Sequence, residues 1–367
     1  MRIHSIVLRV ISSPLKQPFV NALGTLTERE AIIIEVKDQD GLSGWGEVVA
    51  FSTPWYTEET LKTCYYALKE FLIPNVSSKL KHPEELQGVF AAIRGHHMAK
   101  SGLECAVWDL YGRQLKRPIY QLFGGDREEV EAGVVIASDH IGKALKQIEA
   151  YQQEGYKRYK VKVNPRTAVD YISAIRDEYP DLPLMIDANS SFTLNDADQL
   201  RRLDEYELMM IEQPLEHDDF LEHKELQQQL KTPICLDESI TSFASAKNAI
   251  ALQSARILCV KMGRVGGWKQ AVSIHDYGLR HEIPLWCGGM IEFGISRAHN
   301  VALATLKGFT IPGDLSSSSR FWAEDIVEPE LVVKDGKVKV SKESGIGCSI
   351  NWKVLKRLTN NTECFLL

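Results

Sequence analysis

The sequence predicts an α/β protein in which a closed β/α barrel follows a smaller α+β region, and three observations carry that expectation. From about residue 131, short apolar runs alternate with amphipathic helical stretches, the pattern of parallel strands joined by helices. Eight such runs fall within about 185 residues (316 − 131), enough units at the right density to close a barrel. Up to about residue 50 the chain instead reads as strands, and helical periodicity follows. An open doubly wound sheet is the alternative that the same rhythm allows.

Taken in order, "MRIHSIVLRVISSPL" alternates like a strand, and "AIIIEVKDQDGLSGWGEVV" reads as two strands around a D-G turn. "SGLECAVWDLYGRQL" (101–115) predicts a helix opened by a Ser101/Glu104 capping box, with Leu103, Val107, Leu110 and Tyr111 on one face. The barrel runs are "GVVIA", "RYKVKV", "LPLMIDA", "ELMMIEQP", "TPICLDE", "RILCVKM", "IPLWCGG" and "FTIPGDL". After "GDLSSSSRFW", a "KDGK" hairpin turn and "NWKVLKRL" leave the barrel rhythm, so the tail is expected to pack back on the first region. The expected domains are 1–125, 126–318 and a returning segment, 319–367.

The 367 residues suffice for one large domain and a smaller one, and 44% apolar with 25% charged residues is a globular composition. A formal charge of −6 speaks against nucleic acid or an anionic membrane as partner and for a small molecule. No run approaches the ~20 apolar residues of a membrane span, and the start lacks the apolar core of a signal peptide, so a cytoplasmic protein is expected. Seven cysteines without a C-x-x-C pair argue for reduced thiols, with Cys235, Cys259 and Cys287 as core residues.

Polar residues at the ends of the runs keep a fixed interval. Lys162, Asp187, Glu212, Asp237 and Lys261 are separated by 25, 25, 25 and 24 residues (187 − 162, 212 − 187, 237 − 212, 261 − 237). One ionisable group recurs per βα unit, and in a parallel barrel such strand ends share one mouth. Any one of the acids alone reads as a salt-bridged structural residue. Three together would repel unless a cation sat among them. An all-oxygen set without His or Cys favours Mg²⁺, with Mn²⁺ as a substitute, over zinc. Glu238 adjoins Asp237 with the same chemistry, but the interval selects Asp237. The histidines of "GHH" (95–97) and "HDYGLRH" (275–281) form no H-E-x-x-H and read as surface or helix residues.

In "YKRYKVKVN" (156–164), Lys160 and Lys162 stand two apart, so on a strand both face the mouth while Val161 and Val163 face the helices. Lys261 comes from the other side of the barrel. A partly desolvated lysine near a cation has its pKa lowered and can act as a general base near neutral pH. Two lysines facing each other across a metal-bound carboxylate suit removal of the proton α to it.

K-V-K, "IDAN", "IEQP", "LDES" and "VKMGRVGG" at this spacing resemble the enolase superfamily, in its muconate-lactonizing-enzyme subgroup, over almost the whole chain. That superfamily pairs a Lys or His base with Mg²⁺. The resemblance implies a modified TIM barrel, (β/α)7β, under an α+β capping domain. "GGMIEFGISRAHNVALA" (288–304) is most similar to the subgroup's o-succinylbenzoate synthases, some of which also racemise N-succinylamino acids. Dipeptide epimerases show an Asp-x-Asp pair where "IPGDLSSSS" has only Asp314, and no His stands at the strand end where mandelate-racemase relatives carry their base.

Carried over residue by residue, the resemblance makes Asp187, Glu212 and Asp237 the metal ligands and Lys162 the base that takes the α-proton. Lys261 becomes its counterpart on the opposite face, and Lys160 an electrostatic support. Asn189 would line the site, and Arg264 stands where racemising members carry an arginine. The family's succinyl group sits near the seventh-strand loop, here Gly288, Gly289, Met290 and Ile291, though the glycines alone also read as a chain turn. Two capping loops close over the mouth in relatives, here 18–24 and 50–56. Phe19, Leu23, Phe51 and Tyr56 are their candidate substrate contacts, with core packing as the other reading of these side chains. The family also implies a homo-oligomer. The competing functions are a cycloisomerase, another N-acylamino acid racemase, and an inactive metal-binding scaffold that the opposed lysines disfavour. "KMGRVGG" is too short for a nucleotide-binding phosphate loop.

Overall fold

The computed structural model describes residues 1–21, 24–136, 138 and 140–367. Strands Ile3–Asn21, Gly24–Asp38 and Ser43–Val48 form an antiparallel meander. The D-G turn is held locally, because the Asp38 carboxylate accepts the Asp40 and Leu42 N–H groups at 3.0 and 2.8 Å. The last strand, Thr359–Leu366, pairs with the first and completes this sheet. The run of three isoleucines is explained by burial on both faces: Ile32 and Ile34 join the capping core, while Ile33 joins the core shared with the barrel.

Helix His97–Gln114 packs on strand Ser43–Val48 at a distance only glycine allows. A Cβ on Gly44 or Gly46 would lie 2.3 or 2.0 Å from the carbonyl oxygens of Ala106 or Gly102. This helix starts four residues before the expected position. Ser101 lies inside it and donates its hydroxyl to Met262 O at 3.1 Å, so no capping box forms. Glu104 instead reaches out of the helix, and its carboxylate accepts the Lys269 N–H at the start of helix Trp268–Arg280, at 3.4 Å.

Seven parallel strands build the barrel: Gly133–Ile136, Arg158–Lys162, Leu184–Asp187, Ile211–Glu212, Ile234–Leu236, Ile257–Val260 and Leu285–Cys287, paired in chain order. The eighth run, expected as a strand, forms none. It closes the ring through single bridges from Phe309 to Leu285 and from Gly313 to Ala132. Supporting hydrogen bonds run from Asp314 N to Cys287 O at 2.9 Å and from Gly133 N to Gly313 O at 2.7 Å. Pro312 has no N–H to offer a ladder, which limits this segment to isolated contacts.

The tail forms the hairpin Val333–Lys334/Lys337–Lys339, with Asp335 and Gly336 at φ 52° and 71° in its turn. Helix Trp352–Leu358 follows, capped by the Asn351 side chain on Val354 N at 3.1 Å. Among the described residues no helix is long and apolar enough to cross a membrane.

Candidate active site

Period-two alternation stacks the barrel interior in layers. Met185, Met210, Cys235 and Cys259 form a buried apolar layer with Trp286 and Ile257. Two residues on, each of those strands delivers a polar group one layer nearer the mouth: Asp187, Glu212, Asp237 and Lys261. Cys235, Cys259 and Cys287 are buried free thiols, as core residues should be.

Lys160 and Lys162 do project to the same side of their strand, and Val161 and Val163 pack in the outer core. The Lys160 ammonium lies 2.8 Å from Asp314, 3.2 Å from Glu212 and 3.7 Å from Asp187, with its Nζ 4.9 Å from the Trp286 ring centroid. Lys162, nearer the opening, donates to Asp187 at 3.1 Å and to Asn189 Oδ1. On the far side Lys261 donates to Asp237 Oδ2 at 2.8 Å and to the Tyr56 hydroxyl at 2.7 Å.

Electrostatics separate these groups. Burial would lower Lys160 and Lys261, but nearby carboxylates outweigh it and hold both ammoniums above their ordinary range. Burial would raise Asp237, but Arg264, Lys261 and Lys160 hold it well below. Glu212 goes the other way, pushed up by burial and then by the charge of Asp187. Glu212 is wholly buried and neither of its oxygens accepts a hydrogen bond. Together with Asp187 and Asp237 it offers only hard oxygen donors, so the set fits a divalent cation. Glu212 and Asp237 offer ligand atoms within 4.8 Å of each other and of the Cys259 thiol, a trio that leaves Asp187 outside.

A cavity of about 590 Å³ opens above these groups. Of the sequence-predicted residues, Lys160, Lys162, Asp187, Asn189, Lys261, Gly289, Met290, Ile291, Phe19, Phe51 and Tyr56 line it. Glu212 and Asp237 are buried and do not line it. Arg264 does not line it: its guanidinium is spent on Asp237 at 2.6 Å and Ile240 O at 2.9 Å. Gly288 does not line it either, and a Cβ there would sit 2.8 Å from the Lys261 side chain, so this glycine makes room for the lysine. Leu23 is outside the described residues.

Sequence reasoning missed several groups. Asp314 accepts from Arg158 at 2.6 Å as well as from Lys160, joining two buried cations. Glu238 lines the cavity and accepts the Asn189 amide at 2.8 Å. Arg297, Arg320 and Phe321 also line it, and Arg320 donates to Val135 O on the strand beside Lys160. The "GD" of "IPGDL" was the one local signal for Asp314, and Glu238 was marked by its place beside Asp237 but set aside by the interval; the others have none.

An antiparallel capping sheet over a β/α barrel, with acids on successive strands between two lysines, defines a class of enzyme, and the chain belongs to the enolase superfamily. Residues 143–354 match the family described as Enolase C-terminal domain-like, and residues 5–124 match the Mandelate racemase / muconate lactonizing enzyme, N-terminal domain. The chain is 49% identical over 366 residues to the o-succinylbenzoate synthase of Bacillus subtilis (strain 168), covering 100% of this chain and 99% of that one. It is 43% identical to the N-succinylamino acid racemase of Thermus thermophilus, over 98% of both chains. A crystal structure of an enolase-superfamily member from Listeria innocua matches with a TM-score of 0.97 at 41% identity, covering 100% of this chain and 99% of that one.

Proposed function

We propose that this enzyme is an o-succinylbenzoate synthase of menaquinone biosynthesis, acting in the cytoplasm on 2-succinyl-6-hydroxy-2,4-cyclohexadiene-1-carboxylate. The observation that supports it most is that Lys162 and Lys261 reach one cavity from the second and sixth strands, on either side of the acid cluster. Full-length similarity to synthases supports the substrate. Asp187, Glu212 and Asp237 would hold Mg²⁺, or Mn²⁺ in its place, whose charge offsets the second negative charge a carboxylate gains on losing its α-proton.

Lys162, as the neutral amine, takes the α-proton, and the C–H electron pair moves into the enediolate. Lys261, as the ammonium on the opposite face, stabilises that charge. Lys162 then returns the proton to the departing hydroxyl: the C–O bond breaks, the ring becomes aromatic and water leaves. Asn189 orients Lys162, and Phe19, Phe51 and Tyr56 limit water above the substrate.

Racemisation of N-succinylamino acids is the second reading, supported by Lys261 standing within the same cavity and by the racemase relative. There Lys261 would return a proton to the face opposite the one Lys162 deprotonated. Incubation with N-succinylphenylalanine and Mg²⁺ in D₂O is expected to exchange the α-proton, and EDTA to stop it. Synthase turnover without exchange would remove the second reading, and absence of both would sink the first.

A further inference from the structure

Arg29, on the second strand of the capping sheet, is 1% exposed, yet it forms no ion pair among the described residues. Its guanidinium is spent on main-chain carbonyls from separate segments. Nη1 donates to Glu30 O at 2.6 Å and Ala50 O at 2.8 Å, Nη2 donates to Val49 O, and Nε donates to Ile291 O at 3.3 Å. Glu47, Glu292 and Glu30 act on the guanidinium through space but none pairs with it. A buried cation without a contacting carboxylate costs more than an apolar side chain of its size, so its donors must satisfy something an apolar residue could not. Here they satisfy carbonyls at the root of the 50–56 loop and in the seventh-strand loop, which would otherwise be buried without partners.

Both segments border the cavity. Ile291 lines it with φ at 56°, a conformation that a β-branched residue adopts only when its surroundings hold it there. The Phe51 ring lies under the guanidinium at 4.4 Å and contacts Trp55 and Tyr56, with ring centroids 4.5 and 6.1 Å away. Tyr56 in turn touches Lys261. The seventh-strand loop receives a second brace from the same sheet, since the Glu47 carboxylate accepts the Phe293 and Ser296 N–H groups at 2.8 and 2.9 Å.

We propose that Arg29 is a positioning residue that locks the seventh-strand loop and the 50–56 loop into one unit around the substrate. This rests on the reading of the cavity as the active site, but not on which reaction it performs. Lysine has the charge but cannot reach all of these carbonyls from one nitrogen, and methionine has the length but no donor.

The test compares the full-length enzyme with Arg29→Lys and Arg29→Met by peptide-resolved hydrogen exchange and by kinetics. Exchange in 49–56 and in 289–293 is expected to speed up together, by about tenfold in the methionine variant and less in the lysine variant, while 257–260 stays at the wild-type rate. KM is expected to rise about tenfold, by a larger factor than kcat falls. Loosening of one segment alone, uniform loosening of the whole chain, or an unchanged KM would overturn the proposal. If Arg29→Met yields no folded protein, Phe51→Leu removes the ring beneath the guanidinium, and the same paired loosening decides the matter. The exchange readout needs no turnover: paired loosening in an enzyme inactive on both substrates would refute the proposed reactions and leave the bracket intact.

Discussion

Lys162 and Lys261 enter one cavity from opposite sides, but the protein holds them in different ways. Lys162 keeps 21% of its side chain exposed and leans on Asp187 and Asn189 near the opening. Lys261 is 8% exposed and is wedged between Tyr56 and Asp237, a carboxylate it shares with Arg264. The open flank has room to move a proton, whereas the closed flank presents a fixed charge. One arrangement suits a proton carrier and the other an electrostatic partner.

The largest expected effect sharpens that contrast. Lys162→Ala should lower synthase kcat by about 10⁴, and Lys261→Ala by about 10², with Mg²⁺ binding retained by calorimetry in both. Equal losses would erase the distinction between the flanks. Next comes the support under the open flank. Asp314→Asn leaves Arg158 and Lys160 without their shared anion, and urea unfolding should show a loss of about 3 kcal/mol. Burial would raise the Asp314 carboxyl, but Lys160 and Arg158 hold it far below its usual range, so an unchanged midpoint would contradict that pairing.

Between the flanks lies Glu212, with no hydrogen bond of its own. Glu212→Gln is expected to weaken Mg²⁺ binding by about 100-fold in titration calorimetry, roughly 2.7 kcal/mol. Mg²⁺ should raise the Tm of the wild type more than that of this variant at the same concentration. An ion bound equally well by both would move the metal site away from Glu212.

Much of this architecture was legible because strands impose a period. The barrel strands declared themselves as short apolar runs, and their ends as one ionisable residue every 24 or 25 positions. Lys160 and Lys162 were placed on one side by the two-residue repeat alone. Contacts without a period stayed hidden. Tyr56 meets Asp237 and Lys261 across 181 and 205 residues, and nothing near Tyr56 marks it as reaching so deep. Arg264 carried a recognisable position, yet its partner Asp237 was assigned elsewhere, so its burial behind that acid could not be read. Local patterns also misled: Ser101 and Glu104 have capping-box spacing, but the preceding residues 97–100 are already helical. The eighth run has strand-like residues, and Pro312 denies it a ladder.

The most gradual effect, spread over several pH units, concerns what stands behind the closed flank. Glu104, wholly buried on the capping helix, braces the start of the helix that follows Lys261 and Arg264. Burial pushes its carboxyl from 4.5 up to about 8, against the main-chain donors that favour the charged form. A raised acid holds its proton in the folded chain while the unfolded chain releases it. The stability it contributes is therefore full below pH 4.5 and is lost as pH rises through about 8. Glu104→Gln removes that loss, so the unfolding free energy of the variant relative to wild type should climb by about 1 kcal/mol per pH unit across this window. Below the window the variant should be no more stable than wild type. A difference that stays flat with pH would mean that Glu104 is ionised in the folded protein and that the closed flank rests on a charged brace instead of a neutral one.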